Sequence, residues 1–320
     1  NIDYDDSATY EMLTRGETMG IFQLESTGMT QVLMSMRPKN LEDVIALISL
    51  YRPGPMDSIP TYLRNRKDPS KVVYQTPQMA HIVDVTNGVV IYQEQVMQIC
   101  RELAGFSFGQ ADNVRRAMSK KKLKVMEAER EHFVHGCTEP GKECAGCVKN
   151  GIPEAVANQI YDDMISFASY AFNKSHAAAY AVVSYQTAYL KYYYPLEFMA
   201  ALMSSVMDNV TKFSEYILTC RQIMGIPILP PDINEGESGF SVSGDAIRYG
   251  LSAIKSVGKP VVDVILAERG KGGPFRSMED FVGRMSMKEV NKRTLENFIK
   301  SGAMDSLPGN RRQKTMIAPE

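Results

Sequence analysis

Apolar residues return every three or four positions along most of the chain, and every second position only in short stretches. Asn40 stands as an N-cap ahead of Leu41, Val44, Ile45 and Ile48, which share one helical face, with Asp43 at the third helical position. Val96, Ile99 and Leu103 mark a second helix, opened by Tyr92, Gln93, Glu94 and Gln95. Leu123, Met126, Phe133 and Val134 keep the same spacing, as do Val156, Ile160, Met164 and Phe167. Phe213, Tyr216, Ile217, Cys220, Ile223 and Met224 form a stripe that Gly225 stops. Ser7 and Thr211 are placed as caps of shorter helices. Residues 20–26 read as an apolar strand or a buried turn. Residues 177–190 are small and apolar on nearly every face and carry no acid, which predicts a helix buried or clamped against another surface.

The character changes after Pro227, Pro230 and Pro231, so residues 226–234 read as a linker or domain boundary. Residues 240–242 and 246–249 flank Ser243, Gly244 and Asp245 as a short β-hairpin. Residues 251–265 then read as helix, tight glycine turn, helix, and Leu295, Phe298, Ile299 and Gly302 begin a second such unit. The N–H groups after such a turn can hold a DNA phosphate without reading sequence. Lys255, Gly258, Lys259, Arg311 and Arg312 are the candidates for that contact. The expected fold is mainly α, with a helical domain over residues 1–228 and a hairpin plus tandem helix-hairpin-helix domain over 229–320.

Charge sharpens this picture locally. Lys and Arg number 36 against 37 Asp and Glu, so the chain is not a general cationic coat, and any nucleic-acid affinity must come from patches. Residues 112–124 are such a patch, with Arg115, Arg116, Lys120, Lys121, Lys122 and Lys124 and no acid between Asp112 and Glu127. Interspersed glutamates, usual on a solvated helix face, are missing. A phosphate chain approached from several sides explains the run; so does a solvated charge run. Arg52, at the rim of the rigid turn Tyr51-Arg52-Pro53-Gly54-Pro55, can bind an anion or cap the helix before it. Asn173, Lys174, Ser175 and His176 stand at a helix entrance, a ready anion site in which His176 can equally be a cap or core residue. Tyr92 and Gln93 can hydrogen-bond bases or sugars, or merely cap their helix.

His132, His135, Cys137, Cys144 and Cys147 fall close together. Cys137, Cys144 and Cys147 with His135, or with His132 instead, can complete a closed structural Zn2+ site; the alternative is a surface loop with free thiols. Asp3-x-Asp5 looks like a metal-binding pair but has no apolar strand to hold it. Five unevenly placed cysteines make no disulfide framework, and no apolar stretch is long enough for a membrane helix. The acidic, polar first ten residues are no signal peptide, the cytoplasm is the default compartment, and the ends read as those of a piece of something longer.

Several long strings occur in order: GIFQLES at residues 20–26, YRPGP at 51–55, IYQEQVMQI at 91–99, RRAMSKKK at 115–122, FNKSHAAAYAVVSYQTAYLK at 172–191 and LPPDIN at 229–234. With them the chain resembles, over nearly all its length, the C-family replicative DNA polymerases of bacteria, the DNA polymerase III alpha family. The resemblance implies a fingers domain followed by the tandem helix-hairpin-helix region. It implies that Arg115 and Arg116 contact the triphosphate of an incoming dNTP, with Lys120, Lys122, Lys174 and His176 as neighbours, and that Arg52, Tyr92 and Gln93 line the nucleotide or primer-template side. It implies DNA primer-template and other replisome subunits as partners of the full-length protein. The catalytic aspartates and their Mg2+ belong to a palm that precedes residue 1, so the chain alone is expected not to extend a primer. Ser256 departs from the pattern where a glycine is usual, and the Cys/His loop looks like an insertion. A non-enzymatic helix-hairpin-helix DNA-binding module is the rival reading, and a zinc enzyme a third, which the closed ligand count argues against.

Overall fold

The computed structural model describes every residue except 121, 169–170, 286–289 and 318–320. Lys121 of the cationic run therefore lies outside the described residues. The chain forms two compact units, Asn1–Tyr192 and Tyr193–Glu320. The sequence boundary at 228/229 falls inside the second of these.

In the first unit the chain runs through α1 (Ser7–Thr14), α2 (Thr27–Met36), α3 (Leu41–Leu50), α4 (Ile59–Lys67) and α5 (Ala80–Val83). It continues through α6 (Gln93–Ala104), α7 (Phe108–Ser119), α8 (Leu123–His135), α9 (Glu154–Ala168) and α10 (Lys174–Tyr193). Local chemistry sets most starts. Asn40 accepts the Asp43 N–H at 3.0 Å, as its position before an apolar stripe predicts. Asp6, not Ser7, caps α1, accepting the Thr9 N–H at 2.9 Å. Residues 20–26 are turns, the second of the two expectations.

Two apolar cores fill this unit. One gathers Leu13, Leu24, Leu33, Leu47, Ile91 and Tyr185 from α1, α2, α3, α10 and the turns between them. The other gathers Val96, Ile99, Leu103, Val114, Phe133 and Tyr161 from α6 to α9. Phe133 is fully buried, edge-on to Phe106 at 6.3 Å and tilted against Tyr161 at 5.3 Å. Replacing such a ring by alanine costs about 3–5 kcal/mol. On α10, Ala177, Ala181, Ser184, Tyr185, Ala188 and Lys191 are buried, whereas Val183 and Leu190 remain exposed.

The second unit holds α11 (Pro195–Ser205) and α12 (Val210–Gln222), then β1 (Ile228–Leu229), β2 (Ser241–Ser243) and β3 (Ala246–Arg248). Asn209, not Thr211, caps α12, accepting the Lys212 N–H at 3.1 Å. The α12 stripe buries Phe213, Tyr216 and Cys220, but Ile223, past the helix end, is 75% exposed. The expected hairpin is present as β2 and β3, antiparallel, with Val242 opposite Ile247. The proline-rich segment is not a free linker: β1 pairs parallel with β3, giving the order β1-β3-β2. α13 (Lys259–Gly272), α14 (Met278–Arg284), α15 (Lys292–Ser301) and α16 (Arg311–Ile317) complete the unit. Ile233, Leu251, Val262, Phe281, Leu295 and Phe298 share its core. Before α13, the expected helix is a single 3-10 turn, Leu251–Ala253.

Candidate nucleotide and DNA interface

α7 carries the arginine pair. Ser107 caps it and Gln110 bonds back to the Ser107 N–H at 2.7 Å, a reciprocal box that fixes the helix start and so the direction of its later turns. Arg115 and Arg116 then converge on one acid. Asp112 accepts from Arg115 Nε at 2.9 Å and Nη2 at 2.7 Å, and its other oxygen lies 2.7 Å from Arg116 Nε. The Arg115 guanidinium, helped by Arg116, holds the Asp112 carboxyl below its ordinary value. Arg115 Nη1 also donates to Gln93 Oε1 at 3.0 Å.

Gln93 is placed by a long-range contact. Tyr92 and Phe172 form an isolated parallel bridge, and the Gln93 amide donates to Ala171 O at 3.0 Å. The chain segment before α10 is thereby tied to the start of α6. Gln93, Glu94, Arg101, Phe108, Asp112 and Arg115 line a pocket of about 510 Å3, with Asn173 at its edge. Phe108 is 65% exposed, and the Arg101 guanidinium lies 5.9 Å from its ring centre. The sequence reading missed Arg101, Phe108 and the pairing role of Asp112; an exposed aromatic in the first turn after a capping serine was the available signal for Phe108.

The remaining candidates form a second group around Phe172. Arg52 stacks on the Phe172 ring at 3.9 Å. His176 packs against Phe172 at 5.3 Å and Tyr180 at 4.3 Å, and its backbone N–H bonds Asn173 Oδ1 at 2.9 Å. Lys174 Nζ lies 2.9 Å from Glu42 and 5.3 Å from the Tyr92 ring centre. Glu94 occupies the N-terminus of α10, accepting the Lys174 N–H through both oxygens at 3.2 and 3.1 Å. The anion site expected there therefore already holds a carboxylate. Tyr92 is 2% exposed, with burial raising its phenol above the ordinary value; it supports Lys174 and Gln93 from beneath and lines no surface. Lys120 and Lys122 are exposed, and neither makes an ion pair among the described residues.

The Cys/His loop is organised by its backbone. Cys137 and Cys144 exchange both N–H···O bonds, at 3.1 and 2.9 Å, and Gly146 N–H reaches Ala104 O at 2.9 Å. Gly136 and Gly146 approach so closely that a Cβ on Gly146 would meet Gly136 N at 2.3 Å, which requires glycine there. Cys147 is fully buried in the α6–α9 core, and burial pushes its thiol up to about 12. His132 and His135 are near Glu129 and Glu131 respectively. Among the described residues no group of three or more His, Cys, Asp or Glu side chains is placed to hold a metal ion. Cys137, Cys144, Cys147 and His135, or His132, are thus not gathered as zinc ligands. The Asp3 carboxylate instead accepts the Asp5 N–H at 3.0 Å.

In the second unit Lys255, Gly258 and Lys259 are exposed around the turn into α13. Ser256 adopts a left-handed φ of 62°, the conformation that glycine takes most easily. Lys255 and Ser256 line a groove of about 850 Å3 together with Lys300 of α15. Arg312 is exposed without an ion pair among the described residues, whereas Arg311 is gripped by Asp305 through Nε at 2.9 and 3.1 Å.

Residues 1–141 match the family model of the bacterial DNA polymerase III alpha subunit finger domain, and residues 225–314 match that of the helix-hairpin-helix motif. The chain is 48% identical to a DNA polymerase III subunit alpha of Thermus aquaticus over 98% of its own length and 25% of that protein. It is 44% identical to those of Deinococcus radiodurans and Bacillus subtilis, over 98% and 97% of its length and 23% and 27% of theirs. The chain thus spans about a quarter of the length of the curated relatives it matches. With the finger match ahead of the helix-hairpin-helix match, on a mainly helical fold, the chain is similar along nearly its whole length to a stretch of the bacterial DNA polymerase III alpha subunits.

Proposed function

We propose that this chain is the part of a DNA-directed DNA polymerase that grips the triphosphate of an incoming dNTP and holds primer-template DNA. The observation that carries the reading is the Arg115 fork, fixed by Asp112 and Gln93 at the edge of a pocket. A guanidinium offers paired N–H donors that match phosphate oxygens, and a fork already held loses little freedom on binding. Arg116, with 64% of its side chain exposed, is the arm free to leave Asp112 for a phosphate. Lys120 and Lys122 add diffuse positive charge beside it. Tyr92, Lys174, His176 and Arg52 act one layer behind, keeping the Phe172 segment and hence Gln93 in place.

Phosphoryl transfer also needs divalent metal ions, which neutralise charge on the reacting phosphates. The described residues offer no carboxylate group fit to hold such ions. This chain is accordingly assigned positioning and charge neutralisation, with Mg2+ held elsewhere in the full-length protein. The second unit is assigned duplex DNA, held through exposed cations and turn N–H groups. Other replisome subunits are partners of the full-length protein, and its compartment is the cytoplasm; no helix among the described residues is long and apolar enough to cross a membrane. Among the described residues no ligand set for zinc is gathered, and zinc is not part of this reading.

A photoreactive deoxynucleoside triphosphate tests the proposal on the full-length polymerase. Labelling is expected in the peptide containing Arg115 and should be lost in Arg115→Ala. Labelling that ignores the substitution sinks the triphosphate assignment and favours a non-enzymatic DNA-binding module. The isolated chain with magnesium and primer-template should show no extension, and any extension would overturn the division of labour.

A further inference from the structure

We propose that a second cationic groove of the first unit, between the end of α2 and α4, binds the phosphate backbone of a single DNA strand. The groove has a volume of about 960 Å3, and its lining includes Arg37, Lys39, Arg64, Arg66 and Lys67 against the one carboxylate of Asp43. That carboxylate is buried and already engaged: Arg66 Nη2 donates to Asp43 Oδ2 at 2.7 Å, and the Lys39 N–H reaches the same oxygen at 2.8 Å. Burial works against the charge of Arg66, but Asp43 outweighs it and holds the guanidinium above its ordinary value. Arg37, Lys39, Arg64 and Lys67 are exposed, and none makes an ion pair among the described residues. Elsewhere in this unit Arg15, Lys71, Arg116 and Lys142 each have an acid beside them. In this groove four cations without an ion pair among the described residues stand together.

The floor is built, not incidental. Arg66 Nε donates to Met36 O at 2.8 Å and Nη2 to Arg37 O at 3.2 Å, while Asn40 caps α3. These bonds fix residues 36–40 with Arg37 in a left-handed backbone at φ 51°. The cations thus flank a preset channel, and less order is lost when a polyanion enters. A concave channel admits a single strand, whereas a duplex presents a convex face that would touch only its rim. No aromatic ring lines the groove, so contact falls on phosphates and not on stacked bases, which predicts indifference to sequence. The separated, singly placed cations also differ from the fork at Arg115, which suits one compact triphosphate.

This inference rests on the polymerase reading, and its test separates the two. The full-length polymerase is compared with its R37Q/K39Q/R64Q/K67Q variant, using primer-template with a long oligothymidine overhang and a blunt duplex. Overhang binding should weaken ~tenfold at about 0.1 M salt, and the slope of log affinity against log salt should fall by about 3, near 0.7 for each phosphate no longer neutralised. Blunt-duplex binding and the apparent KM for dNTP should not move. An unchanged slope overturns the groove alone, provided Arg115→Ala still impairs nucleotide use. A wild-type protein without DNA affinity overturns the polymerase reading itself. If the variant instead loses binding of poly-glutamate while oligothymidine binding stays intact, the groove belongs to an acidic peptide and the proposal fails. Should the fourfold variant melt early, the R64Q/K67Q pair carries the same test with about half the slope change.

Discussion

Arg115 and Arg116 of the first unit share one carboxylate, and Arg115 is steered further by an amide. Lys255, Lys259 and Arg312 of the second unit stand exposed, with no ion pair among the described residues; Arg311, gripped by Asp305, is the exception. The two arrangements suit different ligands. A held guanidinium presents donors in one geometry and selects a compact anion. Loose cations around a turn give charge without geometry, which suits a phosphate backbone that can slide. Asp112 and Gln93 thus matter as much as the arginines, because they convert charge into shape.

The sharpest break of this contrast is Arg115→Ala in the full-length enzyme. On the proposed contact between Arg115 and a triphosphate, this substitution predicts an apparent KM for dNTP raised roughly ten- to hundredfold, with primer-template affinity changed less than about threefold. Equal losses in steady-state kinetics and in DNA titration would erase the distinction between the two regions. Acid probes the same site from the carboxylate side. Because the arginines hold the Asp112 carboxyl below its ordinary 3.8, its stabilising contribution is fully present above that value and disappears as pH falls through the lowered one. Between about pH 5 and 8 nucleotide affinity should therefore show no break assignable to Asp112.

The complementary change lies in the second unit. Lys255→Ala with Lys259→Ala should weaken duplex binding about tenfold at low salt and reduce the salt slope by about 2, leaving the KM for dNTP alone. An unaltered slope in fluorescence titrations would mean that these turns do not touch phosphate.

How much of this was legible beforehand follows from the range of each interaction. The Asn40 cap, the α6 stripe of Val96, Ile99 and Leu103, and the β2–β3 hairpin depend on neighbours in sequence, and all three were read from it. Arg115 and Arg116 stood out as charge, and Asp112 was visible one turn away, but its pairing was not, since the run was read for cations only. Gln93 owes its position to Phe172, nearly eighty residues on, and no local pattern encodes that. The same holds for β1, whose partner strand lies beyond a loop, and for Arg66, which reaches back across the chain to Asp43. Glu94 on the α10 terminus defeated the expectation of an open anion site for the same reason.

Ser256 offers a smaller effect. Its left-handed backbone costs a residue with a Cβ about 1 kcal/mol that glycine avoids. Ser256→Gly should raise the melting temperature of the second unit by a few degrees in calorimetry, with duplex binding equal or tighter. A lower melting temperature would show that the Ser256 side chain supports the turn.

The smallest expected effect sits in the Cys/His loop. Cys137 and Cys144 are half-buried and joined through their backbones, which serine preserves. Cys137→Ser and Cys144→Ser should each change stability by less than about 0.5 kcal/mol. Cys147 differs: it is fully buried among apolar neighbours, and a hydroxyl there gains a desolvation cost of about 1–3 kcal/mol. A zinc site would remove this inequality, because removing any ligand would cost the binding energy of the metal, and the three substitutions would then destabilise alike. Chelator-washed protein is expected to carry well under one zinc per chain by atomic absorption. Three equal, large losses together with stoichiometric zinc would return the loop to a structural metal site and place the rigidity of the α6–α9 core partly in the ion. The unequal series would place it in backbone pairing and in the packing of Cys147.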